Sequence, residues 1–427
     1  MSNRNRAVAV GVVASTAALA LAGCSITGVT SSSGGDAATG TVNAIFATDA
    51  GYTEDNINSM IASFEKANPK ITVKPTFVTY NALHDKEVTA APTGSYDIVH
   101  MDVVWPAEFA KAGIIADVTD RVPKSWSEDM LGGALDSAKY DGKWYGVPWE
   151  PSSKLLFFNT ALLASVGASP ADLDSWQDVL AVAKRIKEAG TVKYPISWSW
   201  SQSEALVCDF AQLLGSFGGS FFDSSGKLDI NSPQAVQTVE WMKSTIDDGL
   251  TDPASLSFVE DDVNKSLAAG RSAIGLNWNS TFSALQDASQ SVSAGSIGVL
   301  PTPVGPTGSR KSVNGSMALA ITESSKVKTA AWKFIEYATS QQVQDAFIGS
   351  SPSNWKSSYT DPAVVKTNPA LISASGDAYN SMILRPQVAN YNSVSQALQV
   401  ALQSALLGQK TPQTALDDAA RDIAGLK

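Results

Sequence analysis

The chain has 427 residues, 44% hydrophobic and 17% charged, which is enough apolar material for more than one core, so two lobes are expected. A formal net charge of -10 argues against nucleic acid or an anionic lipid surface as a partner, because both select basic patches. With only two cysteines, the chain has no disulfide framework.

Arg4 and Arg6 precede an apolar run from Ala7 to Ala22 that ends in Leu21-Ala22-Gly23-Cys24. The run is shorter than the roughly 20 residues of a bilayer-spanning helix and closes on small residues, the pattern of a cleaved signal peptide over 1–23 with a lipobox. Cys24 is the expected lipidation site, and two or three acyl chains hold a protein to a membrane far better than one. Residues 24–40 continue with small polar residues and read as a flexible tether.

Beyond the tether, strand-like runs alternate with helical periodicity. Thr41 to Ala47 reads as a strand, Ile57, Met60, Ile61 and Phe64 as one helix face, then Ile71 to Val78 and Tyr96 to Met101 as strands. That order describes an α/β lobe with a largely parallel sheet. A second set follows: strand-like Leu155 to Asn159, a helix carrying Trp176, Val179, Leu180, Ala183 and Ile186, and strand-like Tyr194 to Trp198. Cys208 lies in an apolar stretch and reads as a small core residue. Ser232 and Pro233 form an N-cap and first-turn pair for a helix running to about Asp248. Strand-like runs recur at Ser272 to Trp278, Ile297 to Pro301 and Met317 to Ile321. A helix through Trp332, Phe334 and Tyr337 and a helical tail from Val394 to Leu407 complete the chain.

Catalytic signatures are scarce. The two histidines, His84 and His100, have no metal-ligand spacing, and no nucleophile elbow or dinucleotide fingerprint occurs. Gly305 to Ser312 carries Arg310 where a phosphate loop needs glycine, and reads as a turn. No metal and no cofactor are expected.

The eleven tryptophans stand out, several beside polar residues at the ends of strands. A pyranose has an apolar face that packs on an aromatic ring and a rim of hydroxyls that pair with polar groups, so a saccharide cleft mixes both residue types. The clusters are Asp102-Val103-Val104-Trp105, Trp149-Glu150, Trp198 to Gln202, and Asn277-Trp278-Asn279. Each tryptophan has a structural reading as a core residue. Trp126, Trp144, Trp176, Trp241, Trp332 and Trp355 are assigned to packing. Carboxylates are plentiful too, which keeps a secreted glycoside hydrolase as an alternative, and a non-transporting envelope lipoprotein is another.

The lipobox, the tether, Tyr96-Asp97-Ile98-Val99-His100-Met101-Asp102, Gly142 to Pro148, Leu155 to Asn159, Ala268 to Ile274 and Ala330 to Ile335 come in a familiar order. The chain resembles family 1 extracellular solute-binding proteins. Asp102 to Phe109, and Arg385-Pro386 followed by Tyr391, are most similar to the branch that binds trehalose, maltose and related glucosides.

The resemblance implies a periplasmic-binding-protein fold of the second type: two α/β lobes, a hinge and an interlobe ligand cleft. Residues 41–148 plus 279–321 would form the first lobe and 149–278 plus 322–427 the second, with crossings near Pro148 and Trp278 and after Ile321. It implies a monomeric, non-enzymatic receptor on the outer face of the cytoplasmic membrane that hands a di- or oligosaccharide to the permease subunits of an ABC importer. The site residues it suggests are Asn81, Asp102 and Trp105 from the first lobe. Trp149, Glu150, Trp200, Gln202, Glu260, Trp278, Gly315 and Arg385 would come from the second lobe and the crossings. Asp102 would accept from sugar hydroxyls, Arg385 would donate to them, Trp105 would stack or line the cleft, and Trp278 would be the main stacking platform. Where relatives often carry Gly-Gly-Trp, this chain reads Asn314-Gly315-Ser316-Met317, which would open the pocket locally for bulkier sugars.

Overall fold

The computed structural model describes residues 36–426; the expected signal peptide, Cys24 and most of the tether lie outside them. Nine strands carry the architecture: β1 (Gly40–Ala47), β2 (Ile71–Val78), β3 (Ile98–Asp102), β4 (Val147–Glu150), β5 (Lys154–Asn159), β6 (Ile196–Ser197), β7 (Ile274–Trp278), β8 (Ile297–Leu300) and β9 (Met317–Ile321). They form two sheets, ordered β2-β1-β3-β9-β4 and β8-β5-β7-β6. Each sheet has its own apolar core, one built around Phe46, Phe64, Trp149 and Phe334, the other around Trp176, Trp198, Phe210 and Leu402. The result is a two-lobe α/β fold of the second periplasmic-binding-protein type.

Local sequence explains the elements. In β5 every residue is buried, and Leu155 to Phe158 run apolar without the alternation of a half-exposed strand. The helix Trp176–Glu188 opens on a reciprocal cap in which Asp178 N–H donates to Ser175 Oγ and Ser175 N–H donates to Asp178, and it buries Trp176, Val179, Val182, Ala183 and Ile186. The helix Pro233–Asp247 starts at its Ser232 cap, as the Ser-Pro pair predicts. Gly305 to Ser312 is a turn, closed by Gly305 N–H donating to Ser309 O, with Gly308 at φ 77°.

Several expectations need correction. The first sheet is parallel only across β1, β2 and β3; β9 runs antiparallel to both β3 and β4. In the second sheet β5 is antiparallel to both its neighbours. The tether expected over 24–40 ends earlier: Asp36 pairs with Arg121 at 2.8 Å, and Ala37 exchanges backbone bonds with Lys326 and Ala330.

The lobe boundaries also move. The first crossing, between β4 and β5, is Pro151 to Ser153. The chain does not cross near Trp278: Phe282, Leu285 and β8 pack with Leu155 and Phe157, so residues 279–300 belong to the second lobe. The second crossing lies between β8 and β9. Beyond Ile321, helix Lys328–Ala338 packs on the first core through Ala331, Phe334 and Ile335, so this stretch belongs to the first lobe rather than the second. The reason is the same in both places: the apolar face of each segment matches the core nearest its preceding strand.

Cys208 is free and buried in helix Glu204–Ser216, and burial pushes its thiol pKa up. Among the described residues no helix is long and apolar enough to cross a membrane, and no cluster of His, Cys, Asp or Glu could hold a metal ion.

Candidate ligand cleft

Ligands of open α/β sheets sit beyond the carboxyl ends of the strands. β3 ends there in Asp102, and its pairing with β9 places Asp102 opposite Met317. On the other side of β9, Met317 faces Glu150, and the register slips by one residue at Trp149.

Asp102 is buried and makes three bonds: Oδ1 accepts from Val104 N–H at 3.1 Å and from Arg385 Nη2 at 3.0 Å, and Oδ2 accepts from Tyr80 OH at 3.1 Å. Arg385 comes from the segment between helix Pro369–Tyr379 and helix Tyr391–Leu406. Its Nη1 donates at 2.6 Å to Glu204, which heads the second-lobe helix Glu204–Ser216, and Nη2 also reaches the Asn314 carbonyl at 3.3 Å. Glu204 in turn accepts from the hydroxyls of Tyr391 and Ser395. Burial disfavours the guanidinium charge, but Asp102 and Glu204 outweigh it and raise the Arg385 pKa. One buried cation thus joins a first-lobe carboxylate to a second-lobe carboxylate.

A second constellation stands on β7. Trp278 is half-buried, its Nε1 donates to Glu260 Oε1 at 3.2 Å, and Gly315 lies so close that a Cβ there would come within 2.5 Å of the indole. Only a glycine lets the loop before β9 rest against that ring. Asp49, at the end of β1, has its carboxyl pKa raised by partial burial and by the charges of Glu260 and Glu150.

The structure therefore brings Asp102 and Arg385 together, and separately Glu260, Trp278 and Gly315. It does not gather the rest. Trp105 is 3% exposed and packed between Tyr80 and Phe109, so it offers no open ring face. Trp149 and Trp200 are fully buried, the first against Phe46, Tyr52 and His100, the second stacked on Trp198. Large apolar area drew all three into the cores despite their polar neighbours. Glu150 faces into the first lobe, accepting from Tyr52 N–H at 2.8 Å and lying 3.4 Å from His100 Nε2. Asn81 and Gln202 are exposed, and their side chains make no hydrogen bond among the described residues. Ser316, which follows Gly315 in the expected local opening, is buried, and its Oγ accepts from Ser152 N–H.

Sequence reading missed Tyr80, Asp49, Glu204, Lys154 and Asp209. Asp49 had a usable signal, since it follows the carboxyl end of the first strand. Lys154 and Asp209, charges inside apolar runs, had another.

Two α/β lobes with charged and aromatic side chains converging between them define a two-lobe solute-binding protein. The family model for bacterial extracellular solute-binding proteins matches residues 50–345, and the chain belongs to that family. A "Probable ABC transporter-binding protein" of Deinococcus radiodurans is 28% identical, over 81% of this chain and 83% of its own length. The solved structure of maltose-bound T. maritima MalE3 is similar with a TM-score of 0.83 and 28% identity, covering 90% of this chain and 99% of that one. The GacH receptor of Streptomyces glaucescens, solved with acarbose, shares the fold at a TM-score of 0.78 and 23% identity, over 91% of this chain and 100% of its own.

Proposed function

We propose that this chain is the extracytoplasmic binding subunit of an ABC sugar importer, anchored through lipid on Cys24, that captures a di- or oligosaccharide between its lobes and delivers it to the permease. A maltose- or trehalose-like glucoside is the favoured cargo, and the receptor acts as a monomer without turnover. The observation that carries this reading is the Asp102–Arg385–Glu204 bridge, in which groups suited to sugar hydroxyls meet from both lobes. The similarity to a maltose-bound protein supports the same class of ligand.

A ligand can close two lobes only if it binds the closed arrangement better, by touching both at once. Asp102 and Arg385 meet that requirement once their buried pair opens, when sugar hydroxyls can donate to the carboxylate and accept from the guanidinium. Asn81, Gln202 and Glu150 stay in the proposal as rim or supporting residues, and Trp105, Trp149 and Trp200 as packing behind the cleft.

The test is a titration of the protein lacking residues 1–24 with mono-, di- and oligosaccharides, followed by tryptophan fluorescence. Saturable binding to one sugar class in the micromolar range, weakened by Asp102→Ala, is expected. No response across the panel would defeat the sugar assignment, and release of monosaccharide would turn the case toward a glycosidase. Mass spectrometry of membrane-extracted protein tests the anchor: Cys24→Ser should remove the lipid mass and release the protein from membranes.

A further inference from the structure

We propose that Lys154 is the positioning residue of the cleft: its buried ammonium fixes the Trp278 ring and the Glu260 carboxylate together, leaving one Glu260 oxygen free for a saccharide hydroxyl. The inference rests on the cleft being a saccharide site, and it adds a residue that touches no ligand.

Lys154 opens β5, and no part of its side chain reaches solvent. Burying an ammonium is costly unless every donor is used. Here the charge is matched twice over: Nζ donates to Asp209 Oδ1 at 2.6 Å and to Ser199 Oγ at 2.9 Å, and Glu260 Oε1 stands 3.2 Å away as a second ion-pair partner. The other Asp209 oxygen is taken by Ser199 N–H and Oγ–H. Asp209 alone would neutralise the lysine, so the third contact, toward the cleft, is not needed for charge balance.

That third contact has a specific consequence. Glu260 Oε1 accepts from Trp278 Nε1 at 3.2 Å and pairs with the Lys154 ammonium at the same distance, and Nζ stands 5.0 Å from the centre of the Trp278 ring. The indole is therefore held through its N–H by Glu260 and through its π-face by the ammonium. The Glu260 side chain is 24% exposed, and its Oε2 has no hydrogen-bond partner among the described residues. A carboxylate oxygen beside a fixed ring matches a pyranose, which presents a hydroxyl rim next to an apolar face. Without the ammonium, Glu260 would be drawn to water and Trp278 would lose both constraints.

The test uses the full chain in detergent, labelled with 5-fluorotryptophan and observed by fluorine NMR. Loss of one resonance in Trp278→Phe assigns that ring. In Lys154→Met/Asp209→Leu, which replaces the buried pair with apolar groups to preserve folding, the Trp278 resonance should move while those of Trp176 and Trp241 stay in place. Maltose affinity should fall about tenfold or more. Lys154→Gln, which keeps volume and a donor but no charge, should do the same. An unmoved Trp278 resonance in either folded variant would overturn the proposal, as would equal movement of Trp176 and Trp241, which would reveal a general loosening of the core. If the unaltered protein binds no maltose yet the Trp278 resonance still moves as expected, the saccharide reading fails and the positioning role stands.

Discussion

Replacing Arg385 by methionine removes the one cation from a site with two carboxylates, and the structure allows its cost to be worked out. The Asp102 side chain is 4% exposed and Glu204 17%, so neither recovers full hydration when the guanidinium is gone. Asp102 keeps the Tyr80 hydroxyl and the Val104 amide, and Glu204 keeps the Tyr391 and Ser395 hydroxyls. Those bonds soften the loss without cancelling the charges. Breaking a buried ion pair from one side costs about 3–5 kcal/mol. If residues 36–427 unfold as one unit, each kcal/mol moves Tm by about 1.2 °C, so Arg385→Met should melt about 4–6 °C lower in calorimetry at pH 7. Asp102→Asn/Arg385→Met removes one stranded charge and should recover about half of that drop. A single variant melting within about 1 °C of the parent, or a double variant no more stable than the single, would show that the bridge carries little energy. The reasoning from burial would then be wrong.

Further outcomes are expected. Gly315→Ala places a Cβ 2.5 Å from the Trp278 ring, an overlap that costs about 1–3 kcal/mol in stability and should lower maltose affinity about tenfold in a fluorescence titration. His84 is partly buried, which lowers its pKa, but the hydrogen bond and charge of Glu108, with Asp85, raise it overall; Asn392 is its other polar neighbour. A raised histidine contributes stability below its unfolded pKa of about 6.5 that is lost as pH rises through the folded value. His84→Gln should therefore melt below the parent at pH 5.5 and alongside it at pH 8, as read by thermal scans. Glu87 is buried, and burial drives its carboxyl pKa up while one oxygen accepts from His100 N–H. Its folded form holds a proton that the unfolded chain releases above about pH 4.5, so it subtracts stability as pH rises. Glu87→Gln should flatten that fall, with a gain in Tm over the parent at pH 7.5 larger than at pH 4.5.

Much of the architecture follows from local rules written along the chain. Strand and helix identity came from the period of apolar residues: Ile71 to Val78 and Met317 to Ile321 are strands over those same residues, and the helix after Ser232 begins at its cap. Motif order reached the family, and Asp102 with Arg385 were chosen through that resemblance, on the stretch Asp102 to Phe109 and on Arg385-Pro386 followed by Tyr391.

Tertiary structure decided what those rules do not reach. A tryptophan beside polar residues has the same sequence neighbourhood whether its ring enters a core or faces a cleft, and only packing volume sent Trp105, Trp149 and Trp200 inward while leaving Trp278 half-exposed. Lobe membership was equally hidden, because Ile297 to Leu300 can pair with any free strand edge and register with Leu156 to Asn159 selects its sheet. The contacts of greatest consequence join residues far apart in the chain, Asp102 with Arg385 and Lys154 with Asp209 and Glu260. A local pattern shows each of these charges alone; only the fold supplies the partner that makes its burial affordable.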